Sequence, residues 1–383
     1  MDNPFTFGKI VQGEDFADRK DEIRELIKEV KERQGVFLIS PRRYGKTSLI
    51  LETLKRLRGD FYVAYIDVYR TSTLSKFLEL YANQVIKEAE GRFEKAGRLV
   101  REFFSAFLPQ ISVFPDGTWT FGFGYGPYPE SKDLLRLQEA VYELPEKIAS
   151  KRGKKFVVAF DEFQEINSFD REQIEKTMRS HFQHHKNVGY IFAGSKESVL
   201  KDMTLQSEKA FYKFGRIMEL KPIPRDEFRP FLLGRFTKGG LILEEGLMDA
   251  ILDVAEDVPY NVQRICHELW DFCKGKGGVE RADLDKALEL IIMQDEVHFT
   301  RSWDDLSLHQ RMLLEAIATA GESNLFSRDF ITQHQLRSHS SVQTSLRRLM
   351  NSQMVTKTDV GYKISDLFFR GWILKRLGKK VTI

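Results

Sequence analysis

The amino-acid sequence predicts an α/β fold: a parallel sheet with flanking helices, then an all-helical segment, then a module of three helices and a hairpin. Three observations carry this. Gly35 to Ile50, GVFLISPRRYGKTSLI, runs from an apolar strand through a glycine turn into a helix. Phe156 to Glu162, FVVAFDE, is a second apolar run, ending in two acids. From Pro222 onward the apolar spacing turns helical, until a hairpin pattern appears at Val355 to Ile364.

At 383 residues the chain is longer than one ordinary domain, and its 42% hydrophobic and 30% charged residues suit globular domains with ample cores. No apolar run is long enough to cross a bilayer, and the opening residues lack the basic and apolar regions of a secretion signal. Cys266 and Cys273, two turns apart in a helical pattern, read as buried thiols in a reducing compartment. A cytoplasmic protein without membrane contact is expected. The net charge of +3 is unevenly spread: residues 301–383 hold 13 Lys and Arg against 7 Asp and Glu, a balance of +6, so the remainder stands at −3. A basic C-terminal segment permits nucleic-acid contact there.

Taken in order, the chain opens with an extended lead-in to Asp18, the expected cap of a charged helix from Arg19 to Glu32 with Ile23, Leu26, Ile27 and Val30 on one face. Val36 to Ile39 suits a strand buried on both faces. The turn from Ser40 to Gly45 and the helix start at Lys46-Thr47-Ser48 then complete the phosphate-binding P-loop arrangement. Free N–H groups at the helix N-terminus and the helix dipole both favour phosphate there. Lys46 is expected to reach the β- and γ-phosphates and Thr47 to hold Mg²⁺, while Gly45 allows close backbone approach. Ser40 stands where the usual pattern has Gly. Ser40, Pro41, Arg42, Arg43, Tyr44, Gly45, Lys46, Thr47 and Ser48 are thus the candidate nucleotide-contacting run.

Phe61 to Val68 reads as the next buried strand, with Asp67 on the ligand-facing rim. A helical stretch, Leu74 to Phe107, precedes a hairpin near residues 108–127 that turns at Asp116-Gly117 and carries several aromatics. Asp161 and Glu162 have the Walker B form: Asp161 for the Mg²⁺ shell, Glu162 to orient and activate water. After a helix from Arg171 to His185, a strand from Gly189 to Ala193 ends in Gly194-Ser195-Lys196. Ser195 is the candidate γ-phosphate sensor, with Lys196 the neighbouring alternative. His181, His184 and His185 share one side of a helix, but no third ligand segment points to them, which favours a solvated or partner-facing helix over a metal site.

Residues 222–296 read as a helical lid, with Pro259 at a helix start. In residues 297–383, helices Leu308–Thr319, Ser327–His334 and Ser338–Gln353 precede the hairpin, the winged-helix form of helix-turn-helix. Arg337, His339, Gln343, Arg347 and Arg348 face outward from the third helix, suited to phosphate or base-edge contact. Such modules also dock proteins, so double-stranded DNA and a protein partner both stand as readings.

The runs NPFTFG, FADRKDE, PRRYGKTSL, VVAFDEFQEI, QHHKNVGYIFAGSK and FYKFGRIMELKPI, with the winged helix, resemble the prokaryotic "archaeal ATPase" family of STAND/AAA+-related P-loop ATPases. In domain plan the chain also resembles archaeal origin-recognition initiators. The resemblance implies a P-loop NTPase with an AAA+-like parallel sheet over residues 1–221, and ATP with Mg²⁺ as ligands. It implies Arg19 near the adenine, and Arg216 as the arginine that stabilises the γ-phosphate, in cis or from a second copy in a homo-oligomer. Relatives often show Gly-x-Pro before a nucleotide-contacting lid helix; here Asp257-Val258-Pro259-Tyr260 keeps Pro without Gly, and Pro259 is carried as the candidate, with Arg264 next in line. The expected function is an ATP-hydrolysing switch coupled to DNA through the winged helix. The alternative is a STAND-type signalling or defence ATPase whose winged helix and hairpin bind protein.

Overall fold

A computed structural model describes residues 2–17, 19–90, 93–124, 131–169, 171–321 and 324–379. The chain forms two compact units: Ile10–Ile223, and Pro224–Ile383 together with Met1–Lys9. The opening nine residues, placed by the sequence in the nucleotide domain, therefore group with the C-terminal half.

The first unit runs α1 (Lys20–Lys31), β1 (Gly35–Ile39), α2 (Lys46–Leu57), β2 (Tyr62–Asp67), α3 (Leu74–Ala89), α4 (Phe93–Phe104), β3 (Pro109–Val113), β4 (Trp119–Phe123), α5 (Ser131–Arg152), β5 (Phe156–Asp161), α6 (Arg171–Phe182), β6 (Val188–Gly194), α7 (Glu197–Leu205) and β7 (Gly215–Glu219). Five strands make one sheet in the order β2-β5-β6-β1-β7, parallel at every pairing. Both faces are covered, which is why β1, β5 and β6 are buried at every residue and read as unbroken apolar runs. Val36 and Leu38 join α1 and α2 in one core, while Phe37 and Ile39 join α3, α5 and α6 in the other. The second core is aromatic: Phe192 stacks on Phe37 at 4.8 Å and on Phe160 at 5.6 Å between ring centroids. Because the strands are parallel, Ile39, Asp67, Asp161 and Gly194 all end on one rim.

β3 and β4 pair antiparallel about a turn at Asp116-Gly117, with Gly117 at φ 79°. Residues 125–127 of the expected insert lie outside the described residues. Trp119, Phe121 and Phe123 are buried. Asn83 of α3 ties the hairpin down, its amide donating to the Phe121 carbonyl (2.6 Å) and accepting from the Phe121 N–H (2.9 Å). The aromatic face is thus turned inward, with Phe114 exposed at the turn. Asp18 lies outside the described residues; Arg19 occupies the N-cap position of α1 in the left-handed region, φ 63°.

The second unit comprises α8 (Arg225–Lys238), β8 (Ile242–Leu243), α9 (Leu247–Val254), α10 (Pro259–Cys273), β9 (Gly278–Val279), α11 (Arg281–Gln294), α12 (Glu296–Asp304), α13 (Leu308–Ala320), α14 (Arg328–Gln333), α15 (His339–Asn351), β10 (Val355–Lys357), β11 (Tyr362–Ile364) and α16 (Leu367–Arg376). Ser307, Ser327 and Ser338 cap α13, α14 and α15 by accepting from backbone N–H groups three residues on. The sequence assigned no element after Ile364. LFFRGWIL is apolar around the whole turn, so α16 carries no amphipathic signal and is a buried helix instead.

The N-terminal arm belongs to this unit by specific contacts. The Asn3 amide donates to the His267 carbonyl (3.0 Å), the Phe5 carbonyl meets His267 Nδ1 (2.7 Å), and the Phe5 ring lies 4.6 Å from Phe236. Arg264 of α10 is buried and bidentate to Asp295 (2.6 and 2.9 Å), its guanidinium between the rings of Phe7 (5.3 Å) and Phe368 (5.2 Å). The arm, α10, the end of α11 and α16 thus meet at one side chain.

Candidate nucleotide site

The site is built at the C-terminal rim of the first unit's sheet. β1 ends at Ile39, and Ser40, buried, sends its hydroxyl to the Pro41 carbonyl (3.1 Å). Pro41, Arg42, Arg43 and Gly45 are exposed along the turn. Arg43 (φ 74°) and Gly45 (φ 82°) both adopt the left-handed region, natural for glycine and costly for arginine. The chain then enters α2 at Lys46 with no side-chain cap, leaving N–H groups for an anion. Ser48 points away, its hydroxyl accepting from the Val11 N–H (3.1 Å).

Behind the turn, Arg19 is buried, paired with Glu22 (2.7 Å) and donating to the Tyr44 carbonyl (3.0 Å). Its guanidinium therefore braces the backbone of the turn.

Asp161 ends β5 directly across from it. The Thr47 hydroxyl donates to Asp161 Oδ2 (2.6 Å), the Tyr65 hydroxyl donates to the same oxygen (2.9 Å), and Oδ1 accepts the Glu162 N–H (2.9 Å). Burial raises the Asp161 pKa, and the neighbouring Glu162 charge adds to that; the hydrogen bonds and Lys46 only partly offset it. Tyr65, half-buried beside that carboxylate, has its pKa pushed far above the ordinary phenol value by desolvation and the Asp161 charge, and stays a donor.

Glu162 sits at φ 49°, a left-handed position costing an L side chain about 1–2 kcal/mol. Its Oε2 accepts from the Ser195 hydroxyl (2.7 Å) and from the Gln164 amide, and Oε1 lies 3.9 Å from Lys46 Nζ. Burial works to raise the Glu162 pKa, but Lys46, Gln164, Ser195 and Arg42 together hold it below the usual value. Lys196 turns aside to Glu165 (3.0 Å).

The structure therefore brings together the turn, Arg19, Lys46, Thr47, Asp161, Glu162 and Ser195. It does not bring Arg216 to them within this chain. Arg216 pairs in register with Val36 at the far end of β1, half exposed, held by Glu25 and by Glu29 (2.8 Å) of α1. Asp67 caps its own turn and holds Arg70 (3.1 Å). Pro259 opens α10 in the second unit, buried. His181 meets Glu143 (2.6 Å), and His185 meets Tyr190 (2.7 Å). No group of three or more metal-ligating side chains is found among the described residues. Sequence reasoning missed two residues here, Tyr65 and Gln164. Gln164 had a local signal, two places after Glu162, whereas Tyr65 reaches the site only across strands.

On α15 the side chains of His339, Gln343, Arg347 and Arg348 are exposed, while Val342, Leu346 and Leu349 are buried; Arg337, expected on the same helix, is exposed just before its cap at Ser338.

A parallel sheet with an uncapped glycine turn, a buried lysine and two rim carboxylates defines a P-loop ATPase. The family model described as an ATPase domain predominantly from Archaea matches residues 16–239, more than half of the chain, and the chain belongs to that family. A second model, a probable winged helix domain, matches residues 297–375. Among solved structures, a Walker-type ATPase of Pyrococcus abyssi is 19% identical, with 97% of this chain and 99% of that one covered at a TM-score of 0.62. The ORC2 protein of Aeropyrum pernix, in ADPNP–ADP complexes, is 14% identical over 98% of both chains at 0.60. The ORC1 protein of Aeropyrum pernix, in complex with DNA, is 12% identical over 94% of this chain and 93% of that one at 0.51. At these identities the likeness is one of fold. No curated protein sequence matches the chain. No helix among the described residues is long and apolar enough to cross a membrane.

Proposed function

We propose that this ATPase binds ATP with Mg²⁺ at the turn Ser40–Ser48 and uses the cycle to govern DNA binding by its winged helix. The observation that carries the first half is the convergence of Lys46, Thr47, Asp161 and Glu162 on one rim. Lys46 and the first N–H groups of α2 bind the phosphates. A hydroxyl and a carboxylate 2.6 Å apart form the hard-oxygen set Mg²⁺ takes, one or two protein ligands with the rest from phosphates and water. Mg²⁺ in that position would neutralise charge on the β- and γ-phosphates. Glu162, ionised at neutral pH, accepts a proton from the attacking water, and Ser195 fixes its Oε2. Arg19 holds the turn through the Tyr44 carbonyl, acting on the loop backbone. Arg216 has no part in this set within one chain.

The second half rests on the exposed cationic face of α15. The inward-facing hairpin aromatics weaken the protein-docking reading. Steady-state turnover with and without duplex DNA, at two salt concentrations, tests both halves. Lys46→Ala should abolish turnover. DNA should stimulate the wild type, and Arg347→Ala/Arg348→Ala should remove the stimulation and lower the salt slope of binding by about 2. Turnover that depends on Lys46 but ignores DNA would transfer the proposal to a protein partner.

A further inference from the structure

Asp161 is held by three donors, one from α2, one from β2 and one from the backbone of the residue that follows it. Two are expected of any strand-end aspartate beside a P-loop helix: the Thr47 hydroxyl and the N–H of the next residue. The third is not. The Tyr65 hydroxyl comes from β2, one strand over, and donates at 2.9 Å to the same Oδ2 that accepts from Thr47.

The register explains how it gets there. Tyr65 pairs with Ala159 and Asp67 with Asp161, so Tyr65 and Asp161 share a sheet face as diagonal neighbours. A ring can span that diagonal, and the small Ala159 opposite leaves it room to run along the strand. Tyr65 packs against the core that holds α1 and α2, which fixes the ring. Asp67 points to the same face but is occupied with its own turn and with Arg70.

We infer that Tyr65 is a positioning residue that holds the Asp161 carboxylate in the orientation needed to engage the nucleotide's divalent cation. The inference rests on the reading of Thr47 and Asp161 as the Mg²⁺ side of the site. Thr47 stands on the first turn of α2, where phosphate and cation also compete for its oxygen. Tyr65 stands on β2 rather than on the phosphate-binding helix, so its hydrogen bond carries orientation to Asp161 from the sheet. A hydrogen bond to an ionised carboxylate is also among the stronger ones available. Partners of this outer kind commonly set metal affinity as strongly as a weak direct ligand does.

The test is Tyr65→Phe, which removes one oxygen and keeps the ring. A fluorescent ATP analogue is titrated into wild type, Tyr65→Phe and Asp161→Asn in EDTA, then at fixed nucleotide against MgCl₂. Turnover and thermal melting are recorded alongside. In EDTA, Tyr65→Phe should bind the analogue as the wild type does, since Tyr65 lies on β2, outside the phosphate-binding turn and helix. Its Mg²⁺ midpoint should rise about tenfold. Saturating Mg²⁺ should restore most of the turnover, a split that general loosening of the fold would not produce. An unchanged midpoint in Tyr65→Phe, with a raised one in Asp161→Asn, would overturn the role of Tyr65 and leave the site reading standing. An unchanged midpoint in both variants would remove Asp161 from the cation site, and both readings would fall together.

Discussion

Arg264 offers the sharpest stability prediction. Arg264→Met keeps most of the side-chain stem and removes the guanidinium, so the perturbation is the loss of three hydrogen bonds, two to Asp295 and a longer one to the Tyr260 hydroxyl, and of a charge rather than of volume. Both Asp295 oxygens lose a partner, at 2.6 and 2.9 Å. Breaking one side of a buried ion pair costs about 3–5 kcal/mol, and Asp295 keeps some access to water, which places the cost at the lower end. The guanidinium also sits 5.3 Å from the Phe7 ring and 5.2 Å from the Phe368 ring, contacts of about 0.5–1 kcal/mol each. The total is about 4 kcal/mol, a fall in Tm of roughly 8–16 °C for a unit of this size. Tryptophan fluorescence is a suitable probe because Trp270, Trp303 and Trp372 all lie in the second unit and Trp119 alone in the first. Arg264→Met/Asp295→Leu should recover much of the loss, since no unpaired charge remains. A single-variant loss under about 1 kcal/mol, or a double variant no better than the sum, would refute the pin.

Three further outcomes are expected. Glu162→Gln should retain ATP binding and lose turnover by about 10²- to 10⁴-fold, measured by phosphate release. Glu162 has a folded pKa below its unfolded value, so its stabilising contribution is present above the unfolded value and is lost as pH falls through the depressed one; acid unfolding should therefore be shallower in the Gln variant. Phe5→Ala empties a fully buried ring site against Phe236 and should lower the stability of the second unit by about 3 kcal/mol, seen in the same tryptophan signal with little change in the nucleotide-binding unit.

What the sequence made legible was local. The turn at Ser40–Gly45 and the acid pair after β5 announce themselves because each is a short pattern with its chemistry inside it. The winged-helix face of α15 was legible for the same reason, a period of 3.6 with cations on one side and Val342, Leu346 and Leu349 on the other. Features set by register stayed hidden. Arg216 lies the right distance along the chain for a phosphate-sensing arginine, but its pairing with Val36 puts it at the end of the sheet away from its own chain's P-loop, where Glu25 and Glu29 hold it. Tyr65 is the opposite case, unremarkable in its own strand and placed on Asp161 by the alignment of β2 with β5. α16 was invisible because a helix buried all round has no polar side to mark its period.

The docking of the N-terminal arm has a consequence for how the chain is made. Asn3 bonds to His267, 264 residues later. At about 5–20 residues per second, the arm leaves the ribosome roughly 13–50 s before its binding groove exists. Through that interval Phe5 and Phe7 have no native surface to cover, while the whole nucleotide-binding unit can complete its sheet behind them. The second unit therefore completes this contact as a capture event, with α10 taking up a segment synthesised 264 residues before it.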